Sequence, residues 1–152
     1  SWPLVRTACR RGYLDLLKHL VSTYAIGGKS VRVQNNAAFR RACTQGHLDV
    51  AKWLTTEFSM TAEDARSQQN DALRGSCTRG NLDVATWLVR TFGLTHDDVR
   101  ACGDAAMRGA LRNAHVGTVV WLSTFGYNEP TRNEVWVRTE RNSLLATLFM
   151  TF

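Results

Sequence analysis

The stretch Arg40-Arg41-Ala42-Cys43-Thr44-Gln45-Gly46-His47-Leu48-Asp49-Val50-Ala51-Lys52-Trp53-Leu54 decides how this chain is read. Written as RRACTQGHLDVAKWL (40–54), it aligns without a gap to RTACRRGYLDLLKHL (6–20), RGSCTRGNLDVATWL (74–88) and the weaker RGALRNAHVGTVVWL (108–122). Gly12, Gly46 and Gly80 therefore recur every 34 residues, as do Leu20, Leu54, Leu88 and Leu122. A fixed period of this length predicts stacked units, because one small unit cannot bury its own apolar face.

Each unit reads as two helices. Ala38, Phe39, Ala42 and Cys43 fall on one face of a short helix. Gly46 follows, suited to a left-handed residue that closes it. Apolar residues at 48, 50, 51, 53, 54 and 58 then predict a longer helix buried on more than one side. Asp49 sits in its first turn, where negative charge favours the helix dipole; Asp15 and Asp83 repeat the device and Gly117 drops it. A tight glycine turn makes the two helices antiparallel.

The connectors carry a further signal. FSMTAEDARSQQND (58–71) matches FGLTHDDVRACGDA (92–105). Thr61-Ala62-Glu63-Asp64 and Thr95-His96-Asp97-Asp98 each read as an N-cap followed by an acidic first turn, so a short third helix is expected in each connector. Arg66 and Arg100 lie three residues after Glu63 and Asp97, which predicts local ion pairs. YAIGGKSVRVQNN, with Gly27-Gly28, reads as a looser first copy that keeps its arginine, Arg32.

Composition agrees with a folded chain. A hydrophobic share of 44% is too high for disorder. No run of about 18 apolar residues predicts a membrane span, and no basic-then-apolar leader is visible. Trp2-Pro3-Leu4-Val5-Arg6 falls in mid-repeat register, so an excerpt of a longer array, or a processed chain, is expected. Cys9, Cys43 and Cys77 share one repeat slot that Leu111 fills in the fourth unit, which marks a small apolar core position. Copies about one helix spacing apart are too distant for a disulfide. Free thiols favour an intracellular, reducing setting, cytoplasmic before nuclear.

Ala-Cys-x-x-Gly-x-Leu-Asp-Val-Ala, repeated in register, resembles the ankyrin repeat family. AFRRACTQG is similar to that family's first helix, and GHLDVAKWL and GNLDVATWL to its second. The resemblance runs from Trp2 to Leu122 and implies an all-α, ankyrin-like helical repeat solenoid. It would hold about four helix-turn-helix units with short extra helices in the connectors. The expected units are 1–34, 35–68, 69–102 and 103–126, followed by a cap or partial fifth repeat over 127–152. There are departures from the family pattern. Ala37-Ala38-Phe39-Arg40 stands where its threonine-proline-leucine-histidine opening belongs, the period is 34 rather than about 33, and the connectors read helical. The style, with Trp-Leu late in the second helix, is similar to arrays of large DNA viruses and protists. Tetratricopeptide repeats share the period but not the Trp-x-x-Leu-Gly pattern.

Such stacks bind macromolecules, and the charge suggests of what kind. Net charge is +6, and 16 of 19 basic residues are arginine. Guanidinium groups match carboxylates and phosphates, so an acidic or polar protein partner is expected, with nucleic acid as the alternative. The column Arg6, Arg40, Arg74, Arg108 recurs in every unit and is assigned to structure. So is the aromatic column Trp53, Trp87, Trp121, with His19 in the first copy, although aromatics at fixed spacing could also stack on bases.

Binding is expected where slots vary between units. One such slot holds Thr7, Arg41, Gly75 and Gly109; the two after the cysteine hold Arg10-Arg11, Thr44-Gln45, Thr78-Arg79 and Arg112-Asn113. By the resemblance these first-helix positions line a concave groove, and Arg10, Arg11, Arg41, Gln45, Arg79 and Arg112 are the candidate partner-binding residues. No catalytic constellation, cofactor motif or metal-ligand spacing appears in the sequence. His19, His47, His96 and His115 occupy different slots, and Gly27-Gly28-Lys29-Ser30 lacks the rest of a phosphate loop. Arg141–Phe152 places apolar residues at 144, 145, 148, 149 and 152 on one helical face, read as a terminal cap or as the first helix of a fifth unit.

Overall fold

A computed structural model of the chain describes residues 2–125. Ten helices and no strand occur among these residues, so the described chain is all-α. They are α1 (Trp2–Arg11), α2 (Leu14–Thr23), α3 (Gly28–Val31), α4 (Val33–Gln45), α5 (Leu48–Phe58), α6 (Ala62–Thr78), α7 (Leu82–Phe92), α8 (His96–Val99), α9 (Ala101–Arg112) and α10 (Val116–Ser123). The expected cap over 127–152 lies outside the described residues.

The tight turns come from the glycine column. Gly12, Gly46 and Gly80 have φ of +76°, +84° and +75°, a region that penalises a Cβ. The following N–H closes back on the helix, from His47 to the Ala42 carbonyl at 2.9 Å and from Asn81 to the Ser76 carbonyl at 2.8 Å. The glycines also permit close approach between units. A Cβ on Gly46 would lie 2.7 Å from Asn81 Oδ1, and one on Gly12 would lie 2.5 Å from His47 Nδ1. The next unit's turn residue uses this space: His47 Nε2 bonds the Arg10 carbonyl at 2.9 Å, and Asn81 Nδ2 donates to the Thr44 carbonyl at 2.8 Å.

First helices pack on first helices in the order α1, α4, α6, α9, and each packs on its own second helix. One continuous apolar core results. Cys9, Cys43, Cys77 and Leu111 are buried, as are Leu20, Leu54, Leu88 and Leu122. The cysteine slot is thus a core slot, as expected. Trp53, Trp87 and Trp121 are half-buried and pack edge-to-face on Phe58, Phe92 and Phe125 at 5.9, 5.7 and 5.0 Å. They are packing residues, with an aromatic pair contributing about 1 kcal/mol beyond its burial.

The connectors contain the expected short helices, and two of them are fixed by a capping box. Asp64 N–H donates to Thr61 Oγ1 while Thr61 N–H donates to Asp64 Oδ2 at 2.9 Å. Thr95 and Asp98 repeat the arrangement. The expected local pair between Arg66 and Glu63 does not form. Arg66 reaches instead to the next unit, where Asp98 accepts from Nε at 2.9 Å and Nη2 at 3.0 Å. The capping box holds the Asp98 carboxylate still, so a bidentate contact there surpasses a mobile neighbour one turn away. Arg32 binds Asp64 in the same way, at 3.3 Å. Arg100 donates to Asp104 at 3.0 Å within its own connector.

After each short helix the backbone reverses hand, which the sequence did not foretell. Gln34-Asn35-Asn36, Gln68-Gln69-Asn70 and Cys102-Gly103-Asp104 all take left-handed helical angles, with φ between 53° and 61°. A left-handed turn costs roughly 1–2 kcal/mol per non-glycine residue, so other contacts must offset it. The arginine column does. Arg40 Nε and Nη2 donate to the Asn35 and Gln34 carbonyls at 2.8 and 3.2 Å. Arg74 donates to the Gln69 and Gln68 carbonyls at 2.8 and 3.0 Å, and Arg108 to the Cys102 carbonyl at 3.0 Å. The side chains of Asn36 and Asn70 complete the joint by donating to Asp64 and Asp98.

Candidate functional site

The candidate face is the exposed side of the first helices. Arg10 and Arg11 end α1, Arg41 lies in α4, Arg79 follows α6 and Arg112 ends α9; all five are exposed, while Gln45 at the end of α4 is half-buried. Arg79 Nη1 donates to Gln45 Oε1 at 3.2 Å, so these two expected residues meet across one step of the stack. Arg10, Arg11, Arg41 and Arg112 form no ion pair among the described residues, nor does Arg79. No hydrogen bond joins Arg10, Arg11 or Arg41 to another of the expected site residues.

The variable slot before the Ala-Cys pair is not uniformly an exposed one. Gly109 is buried and Gly75 half-buried. A Cβ on Gly75 would fall 2.3 Å from Thr44 Oγ1, and one on Gly109 would fall 2.1 Å from Thr78 Oγ1. Glycine is there so that α6 closes on α4 and α9 on α6. Variation between units marks close packing at these two positions, and solvent exposure only at Thr7 and Arg41.

Between α6 and α9 the same face opens into a groove of about 310 Å³. Its walls carry residues at i, i+3, i+4 and i+7 on both helices: Asp71, Arg74, Gly75 and Thr78 on one, Ala105, Arg108, Gly109 and Arg112 on the other. Arg112 is the only expected site residue in it; Asp71 was not singled out from the sequence, and Arg74 and Arg108 belong to the column assigned to structure. The available signal was the aligned slot Ala37, Asp71 and Ala105, which carries a carboxylate in one unit and a methyl group in the two beside it.

Two carboxylates elsewhere, Asp64 and Asp98, are engaged by the fold. Burial pushes the Asp98 pKa up, but Arg66, the Thr95 N–H, Asn70 and the Thr95 hydroxyl outweigh it and bring it down to about 2. Asp64 is lowered by the same balance, with the Thr61 N–H, Arg32 and Asn36 opposing burial. Burial alone pushes the Cys77 thiol up to about 12, and Cys9 reaches about 12 against a weaker opposing backbone bond. Such thiols are neither nucleophiles nor ligands at neutral pH. Among the described residues, no three His, Cys, Asp or Glu side chains are grouped to hold a metal ion, and no helix is long and apolar enough to cross a membrane. Comparison with family models, curated proteins and solved structures gives no match to this chain.

Proposed function

We propose that the chain is a stack of ankyrin-like repeats that binds another protein through its first-helix face, as a scaffold or adaptor with no chemistry of its own. The observation that carries this reading is a division among the arginines. Arg32, Arg40, Arg66, Arg74 and Arg100 each pair with an aspartate and hold units or turns in place. Arg10, Arg11, Arg41, Arg79 and Arg112 are exposed and outside those pairs. The second group contributes little to folding, since exposed charges are worth at most about 1 kcal/mol even when paired. Their exposed guanidinium groups suit carboxylates, which such groups hold with paired hydrogen bonds.

The test is affinity capture from the source cell, with the Arg41→Ala, Arg79→Ala double variant alongside. Partners on the proposed face are retained by the wild type and lost by the variant; full retention by the variant refutes the assignment. A mobility shift with RNA and DNA at two salt concentrations checks the rival occupant. Retention that collapses steeply with salt would give the face to a nucleic acid instead.

A further inference from the structure

We infer that the groove between α6 and α9 is a receptor for one carboxylate side chain, an aspartate or glutamate on an exposed segment of a partner protein. The inference rests on the protein-binding reading above and names the chemistry of one contact within it.

The chain contains a template for this contact one unit earlier. Arg40 is held on three sides: two turn carbonyls take Nε and Nη2, and Nη1 donates to Asp71 on the next first helix. Arg74 stands 34 residues on and repeats the two carbonyl contacts. The residue aligned with Asp71 is Ala105. A methyl group therefore occupies the place from which a carboxylate would reach the third side of Arg74. Among the described residues the one carboxylate paired with Arg74 is Asp71 itself, 3.6 Å from Nη2 and already engaged by Arg40. Arg108 and Arg112 are exposed on the same groove and pair with no carboxylate among the described residues.

Three guanidinium groups thus line a groove whose one carboxylate, Asp71, pairs with Arg74 alone among them and is already engaged by Arg40. The groove lies at the small end of ligand sites, which run from roughly 300 to 1,000 Å³, so it admits a side-chain head rather than a large ligand. Neither Gly75 nor Gly109 carries a side chain that could cover it. Asp71 on the rim disfavours a multiply charged phosphate more than a singly charged carboxylate, because the repulsion scales with the product of the charges. The template points the same way, since the group that completes Arg40 is a carboxylate.

Ala105→Asp tests the idea by filling the place from within. Position 105 follows the left-handed turn as Asp71 does, at a helix start where negative charge is favoured. The variant should therefore fold, with a urea midpoint no lower than wild type. The probes are a capped, fluorescein-labelled deca-glutamate, the matching deca-glutamine, and an oligothymidylate of equal length, read by anisotropy on the full chain at low salt. Wild type binds deca-glutamate and not deca-glutamine. Ala105→Asp weakens that binding about tenfold, the worth of one charge-assisted contact, while Ala105→Asn leaves it within about twofold. Arg112→Gln, which touches no structural bond, weakens it severalfold and stands in should Ala105→Asp fail to fold.

Absence of deca-glutamate binding overturns the inference, as does equal weakening by Ala105→Asn, which would trace the loss to bulk. Binding lost in the Arg41→Ala, Arg79→Ala variant but intact in Ala105→Asp sinks the groove and leaves the protein-binding face standing. Tighter binding of oligothymidylate, abolished by Ala105→Asp, gives the groove to a nucleic acid and overturns both readings.

Discussion

Replacing Asp98 by Asn removes one charge from a joint between units while keeping its shape. Asp98 accepts from Arg66 Nε and Nη2 at 2.9 and 3.0 Å, from Thr95 N–H at 2.8 Å and from Asn70 Nδ2 at 3.3 Å. The amide oxygen of Asn can still cap Thr95, but its NH2 then faces Arg66 Nε and Asn70 Nδ2, so the variant removes their acceptor along with the charge. The carboxyl pKa of about 2 lies well below its ordinary 3.8. By linkage that gap is worth about 2 kcal/mol at neutral pH. Arg66 is 37% exposed, and solvent screening reduces the expected loss to roughly 1–2 kcal/mol.

The pH dependence gives the sharper test. A depressed carboxyl pKa contributes fully above the unfolded value and is lost as pH falls through the folded one. The deficit of Asp98→Asn should therefore be whole at pH 6, shrink between about pH 4 and pH 2, and be a few tenths of a kcal/mol at pH 2. Urea unfolding followed by circular dichroism at both pH values measures it. A deficit that stays the same at pH 6 and pH 2 would show that the loss is one of packing, not of charge. No deficit at pH 6 would mean that the Arg66 contact contributes nothing.

Gly80→Ala places a Cβ at φ +75° and 2.5 Å from His115 Nδ1, so the urea midpoint should fall by the equivalent of about 2 kcal/mol; a change under about 0.5 kcal/mol, usual for surface sites, would contradict the turn geometry. Gln69→Val alters an exposed residue, yet a β-branched side chain at φ 56° should cost about 1–2 kcal/mol in the same assay. A neutral result there would argue against the left-handed turn. Of the four thiols only Cys102 is exposed, so native protein at pH 8 should release one equivalent with a disulfide reagent and four after denaturation. Rapid reaction of a second thiol in native protein would disprove the burial of the cysteine column.

The helix pairs were legible because their signals are local or repeated. The apolar run predicted a second helix over 48–58, and α5 is Leu48–Phe58. The shared cysteine and leucine slots identified the core since three copies placed cysteine, and four placed leucine, at the same phase. The joints were not legible. Arg66 has a nearby acidic residue in Glu63, and only the fold reveals that Asp98 is better fixed to receive it. The left-handed turns lack glycine in two of three copies, so Gln34-Asn35-Asn36 reads as an ordinary polar loop. Gly75 and Gly109 misled for the opposite reason: a slot that varies looks like free surface when a helix one unit away has closed on it.

The candidate site follows from the same distinction. Arg74 is indistinguishable from Arg40 in sequence column and in the two carbonyls it binds. What separates them is the neighbour 31 residues later, Asp71 for Arg40 and Ala105 for Arg74. Identity across units identifies a group that the stack itself needs; a missing complement identifies where that group is left with capacity to spare. On the proposed reading, a unit that lacks the carboxylate leaves its arginine able to take one from a partner, with no new functional residue needed. Placing a carboxylate at position 105 should strengthen the joint and weaken the proposed binding together. These two effects have no reason to be coupled if Arg74 and Arg108 serve the fold alone.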